Sequence, residues 1–147
     1  MSLVLLGGPF SNALIRDLWE SLELSWRFEY ASPDEFAIID ERTGEQHLPQ
    51  RDDDGNVTRD HGLLVKTRNP AGSDQRFTLF AFCGCFGYGT HAALRCATYD
   101  RFLKASLVAG GHDVEALITT TVSSGAPQRV SAIDVRRIAV ARQVVRR

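Results

Sequence analysis

Two short stretches of this chain carry most of its chemical information. Gly7-Gly8-Pro9-Phe10-Ser11-Asn12 and Gly84-Cys85-Phe86-Gly87-Tyr88-Gly89-Thr90 each follow an apolar run and precede a segment of helical spacing. Glycine permits a tight turn and lets a ligand approach the backbone. The helix behind it offers unpaired N–H groups and the positive end of its dipole. Two such loops facing each other beyond the carboxyl ends of neighbouring strands would form a cleft for an anionic group, above all a nucleotide phosphate. Gly7, Gly8, Asn12, Gly87, Gly89 and Thr90 are expected to line it. The backbone amides would hold the ligand, while Asn12 and Thr90 add contacts or helix caps. The same glycines are also consistent with short turns and nothing more. No Gly-Lys-Ser/Thr follows either loop, and Gly84, Gly87 and Gly89 lack the G-x-G-x-x-G spacing, so P-loop and ordinary dehydrogenase readings are disfavoured.

Cys85 is the candidate nucleophile, because a helix N-terminus stabilises a thiolate, and His91 or His61 could serve as its base. A nucleophile elbow wants glycine two residues to either side. Gly87 fits and Cys83 does not, so a packed, reduced cysteine is the stronger reading. Cys83, Cys85, His91 and Cys96 do not make a convincing metal set, since C-x-C is an unusual half-site and five residues carry Cys96 to a different helical face from His91. The aspartate-rich stretch from Gln50 to Asp60 lacks the glycine and carboxylate that a calcium loop requires at Val57 and Leu63, and reads as a solvated loop. No metal and no cofactor is expected.

The glycine-containing first loop and the later Phe86-Gly87-Tyr88-Gly89-Thr90 loop resemble those of the SLOG superfamily. These are Rossmann-like nucleotide-sensing domains related to the lonely-guy phosphoribohydrolases and to DprA. The resemblance implies ligand sensing in bacterial regulation or defence. This chain lacks the proline of the second family loop and the glutamate shortly after it that belongs to the lonely-guy catalytic set, so the resemblance does not imply hydrolase activity.

The elements that must position these loops follow from hydrophobic spacing. Leu3–Leu6 reads as a buried strand, and Leu14, Ile15, Leu18 and Leu22 as one stripe of a helix capped by Ser11 or Asn12. Trp26, Phe28 and Tyr30 alternate as in a half-buried strand, and Phe36–Asp40 is a second strand. Gly62–Thr67 and Phe77–Phe82, joined through Asn69-Pro70-Ala71-Gly72, read as a hairpin. A helix capped by Thr90 runs to Gly110-Gly111 with Ala93, Leu94, Ala97 and Phe102 inward. Glu115–Val122 and Arg129–Val135 then form strands around Ser124-Gly125-Ala126-Pro127. The spacing leaves the Arg136–Arg147 tail undecided between strand and helix. The fold expected is α/β: one Rossmann-like domain over residues 1–147, with a mixed sheet, central parallel strands, two main helices and β-hairpins. A core strand at residue 3 fits either a short protein or a domain cut from a longer chain.

Composition sets the outer limits. In 147 residues, 17 Lys and Arg balance 18 Asp and Glu for a net charge of −1, which disfavours nucleic-acid and membrane-surface partners. The three clustered cysteines suit a reducing cytoplasm better than a disulfide scaffold. The leading expectation is a non-catalytic small-molecule-binding or sensing module, working as a homo-oligomer or an attached domain. One alternative is a small hydrolase using Cys85, His91 or Asp60. The other is a protein-interaction or oligomerisation module whose glycines are purely structural.

Overall fold

The computed structural model describes residues 2–8, 10–68, 78–108 and 113–138. In chain order the elements are β1 (Ser2–Leu6), α1 (Ala13–Ser21), β2 (Trp26–Ser32), β3 (Glu35–Asp40), β4 (Gln46–His47), β5 (Gln50–Arg51) and β6 (Val57–Arg68). They continue with β7 (Thr78–Gly84), α2 (Gly87–Tyr99), α3 (Arg101–Val108), β8 (Val114–Ser123) and β9 (Ala126–Arg137). The large sheet has the order β1-β7-β6-β8-β9, with β5 on one end of β6. A small sheet has the order β2-β3-β4.

This is not the α/β Rossmann-like architecture expected from the sequence. The chain is mostly β. Only β1 and β7 pair in parallel, and all other described pairings in both sheets are antiparallel. β1 is adjacent to β7 and parallel to it, but it lies at the sheet edge rather than in the centre. Burial explains the misreading. Leu63, Val65, Ala81, Cys83 and Leu117 point into a core shared with Ile15 of α1 and Trp26, Phe28 and Ile38 of the small sheet. Their alternates Leu64, Phe82, Ala116 and Ile118 pack on Ala92, Ala93 and Cys96 of α2 and Leu103 of α3. A sheet covered on both faces has continuously apolar strands whatever their direction, and such runs had suggested parallel pairing.

Local differences have local causes. The helix expected to run on from Thr90 breaks at Asp100, whose side chain accepts from Leu103 N–H and starts α3. In α1 Ile15 and Trp19 pack inward, while Leu14 is exposed. Asn12 is the N-cap, accepting from the N–H groups of Leu14 and Ile15. Ser124 and Gly125, both at positive φ, form the two-residue turn between β8 and β9. The segment from Gln50 to Asp60, expected as a solvated loop, holds β5, a tight turn with Gly55 at positive φ, and the start of β6. The turn at 69–72, the glycines at 110–111 and the tail beyond 138 lie outside the described residues.

The two sheets are tied by a polar cluster. Arg136 of β9 makes two hydrogen bonds to Asp40 of β3, at 3.1 and 2.7 Å, and lies 4.0 Å over the ring of Trp26. Those bonds hold the Asp40 carboxyl down at about 2. Beside them Glu115 of β8 accepts from the N–H groups of Ser25 and Trp26. Burial pushes its carboxyl up to about 7.

Candidate functional site

Because β1 and β7 run parallel side by side, Leu6 opposite Phe82, both glycine loops leave the same end of the sheet. Between them lies a cavity of about 510 Å³. Gly7, Gly8 and Ser11 come from the first loop, and Gly84 to Gly87 with Thr90 from the second. The third side comes from the small sheet, which contributes Phe28, Tyr30 and Phe36. Phe10 closes the wall. Its ring stacks on Phe36 with centroids 4.3 Å apart, and Tyr30 tilts against both at 4.4 and 4.6 Å. Phe10 is 43% exposed and Tyr30 58%, so the outer side of this wall faces solvent.

The second loop is fixed by Asp60 of β6. Its carboxylate, with no solvent exposure, accepts from Gly89 N–H at 2.6 Å, from Phe86 N–H at 3.1 Å and from His61 N–H at 2.8 Å. Phe86, at the N-cap of α2, gives the helix no side-chain cap, so Asp60 caps it from the neighbouring strand. Thr90, expected as that cap, sits inside the helix. Burial pushes the Asp60 carboxyl up to about 7, against the pull of those three N–H groups. The glycines around this cap are needed for close approach. A Cβ on Gly89 would overlap the His61 carbonyl, and one on Gly62 or Gly84 would overlap the backbone of the second loop or α2. Gly87 differs from them. It has ordinary φ, and a Cβ there would meet nothing within 4 Å. A Cβ on Gly8 would make only ordinary contacts, the nearest at 3.6 Å.

Of the residues expected to bind ligand, Gly7, Gly8, Gly87 and Thr90 line the cavity. Asn12 and Gly89 do not. Asn12 is used in capping α1 and reaches Leu6 O, and Gly89 is packed against β6. Cys85 lines the cavity but is buried, and burial pushes its thiol well above the ordinary range, with Asp60 and Glu35 adding to the shift. His91 is exposed on α2, away from the lining. His61 is buried, with Nε2 3.2 Å from Leu48 O and Nδ1 without a partner, and burial beside His47 lowers it to about 4. Among the described residues no cluster of three or more His, Cys, Asp or Glu could hold a metal ion.

Sequence reasoning missed Asp60 as a capping group and the aromatic wall from the small sheet. Asp60 stands two residues before Gly62 in a strand, on the same face, and that spacing was the available signal. A larger groove of about 700 Å³ runs between α1 and β2, lined by Arg16, Glu20, Glu23, Arg27 and Glu41 with Trp19 and Trp26. It shares only Phe10 and Phe28 with the cleft, and Arg27 is already paired with Glu41 at 3.0 Å.

No family model, no curated protein and no solved structure matches this chain.

Proposed function

We propose that this domain is a non-catalytic small-molecule-binding or sensing module whose ligand sits in the cleft between the two glycine loops. The observation that carries the reading is Gly87. The fold requires glycine at 62, 84 and 89 for close approach, yet Gly87 borders the cavity with open space where a side chain would be. Open space at the cavity edge leaves room for a ligand there. Exposed rings at Phe10 and Tyr30 would gain burial from an occupant, which supports the same reading. Neither Cys85, with its thiol buried, nor Asp60, held by three N–H groups, is presented for chemistry. The cytoplasm is the compartment we propose, on the strength of three buried, unpaired cysteines. Among the described residues no helix is long and apolar enough to cross a membrane.

The test is a thermal-shift screen of small molecules against the wild type and Gly87→Val. The variant should fold with nearly the wild-type Tm and lose the ligand-induced shift, because its side chain fills the cleft without touching the core. A ligand that stabilises both proteins equally would refute the assignment of the cleft.

A further inference from the structure

We infer that the ligand is an uncharged compound built on a planar aromatic ring and bearing hydroxyl or amide groups, the class to which nucleosides belong, rather than a phosphate ester. This rests on the cleft being the binding site, as proposed above, and narrows what it accepts.

Three observations lead to it. First, among the described residues lining the cleft no side chain is charged, so nothing there neutralises an anion. The nearby Arg51 guanidinium lies 5.0 Å over the Phe86 ring and 3.9 Å from Glu35, which already gives it a carboxylate. Second, the anion that a glycine loop and helix N-terminus favour is already present as part of the chain. Asp60 takes the N–H groups of Phe86 and Gly89 from behind the cleft wall. A ligand phosphate against the same loop would lie one hydrogen-bond layer from that buried carboxylate, where like charges repel strongly. Third, the remaining wall is aromatic. Phe10, Tyr30 and Phe36 form a close cluster at the cleft with Phe28 behind it, and planar rings stack on such surfaces. The polar groups within reach are hydroxyls and backbone, including Thr90 and the Gly87 amide, which suit neutral donors and acceptors, whereas the Ser11 hydroxyl is already bonded to the N–H and carbonyl of Gly8.

The experiment is calorimetric titration of the whole chain at pH 8, above the value of about 7 to which burial raises Asp60. The probes are adenosine and guanosine, their 5′-monophosphates, and glucose as a neutral compound without an aromatic ring. At least one nucleoside should bind about tenfold or more tighter than its own monophosphate. Tyr30→Ala, which removes an exposed ring, should weaken it without unfolding the protein. Asp60→Asn should narrow the gap between nucleoside and monophosphate, and if that variant does not fold, the wild-type ratio decides alone. A monophosphate that binds as well as its nucleoside overturns this inference, as does binding by glucose alone, and both leave the cleft as a binding site. Binding by a nucleoside that survives Gly87→Val unchanged overturns the cleft itself, whereas the absence of binding by every probe at millimolar concentration overturns this inference and leaves the cleft to the broader screen.

Discussion

Asp60 governs the chemistry of the second loop from a position that its own sequence neighbourhood disguises. It lies among aspartates that are exposed, Asp52 to Asp54, and only its alternation with Gly62 and Leu64 marks it as facing inward. Asp60→Ala should cost about 2 kcal/mol or more in urea denaturation, because the cap is lost and buried N–H groups are left without an acceptor. An unchanged midpoint would show that the loop does not depend on this carboxylate. The neighbouring glycines give a sharper contrast. Gly89→Ala should destabilise by about 2 kcal/mol, since its Cβ overlaps the His61 carbonyl, whereas Gly87→Ala should be neutral or slightly stabilising. Equal effects at the two positions would contradict the geometry.

Burial of two acids also sets the pH response. Asp60 and Glu115 keep their protons to about pH 7 when folded, against 3.8 and 4.5 for the ordinary groups. Between those limits the folded state binds more protons than the unfolded one, so stability falls as pH rises. His61, lowered to about 4, opposes this below its ordinary 6.5, but as one group against two. The urea midpoint should therefore be higher at pH 5.5 than at pH 8, and the double variant Asp60→Asn, Glu115→Gln should flatten that slope. A midpoint that rises steadily from pH 5.5 to 8 would reverse the assignment. Asp60 and the glycines show how the site divided at sequence level. Gly7, Gly8, Gly87 and Thr90 could be named from loop chemistry alone, whereas the acid that shapes their loop and the rings opposite them come from distant segments and needed the fold.

At the scale of elements, legibility followed the reach of each signal. The β6–β7 pairing, with Leu64 opposite Phe82, was readable because a hairpin is local in sequence. The β2–β3 pair was half readable, in that alternation gave the strands but nothing local showed that they leave the large sheet to form a second one. Besides the apolar core they share, the two sheets are joined by long-range polar contacts, and the arginine responsible lies in a segment whose spacing does not decide its structure. Arg136 supplies two hydrogen bonds to Asp40 and one to Asp134, with its cation over Trp26. Arg136→Ala leaves the buried Asp40 without its cation and should cost about 3 kcal/mol or more. Arg136→Lys should recover only part of that, because an ammonium cannot reproduce the paired bonds. Full rescue by lysine would mean that charge alone, not the planar fork, joins the sheets.

The whole molecule departs from the expected architecture because both faces of its large sheet are covered at β6, β7 and β8. There coverage rather than strand direction determines how apolar a strand looks, whereas β1, expected as a buried strand, leaves Leu3, Val4 and Leu6 exposed. β6 lies between β7 and β8 at the centre of the sheet, while among the described residues β1 has a neighbour on one side only. Hydrogen exchange should follow this order. The amides of Leu63 to Val65 and of Ala116 to Ile118 should exchange only on global unfolding, and those of β1 faster through local opening. Uniform protection across the sheet would refute this ranking.

The edge position of β1 also has a consequence in time. β1 precedes β7, its one partner among the described residues, by about half of the chain, and between them lie α1, the small sheet, β5 and β6. Contacts so distant in sequence form late, since a long loop must close before they can form. The antiparallel pairs β6–β7 and β8–β9 can assemble without β1. The first glycine loop is carried on β1, so half of the cleft arrives only when this strand docks. A nearly folded chain therefore has the scaffold but only part of the cleft, and any occupant of the cleft would act as a clasp on the last strand to join.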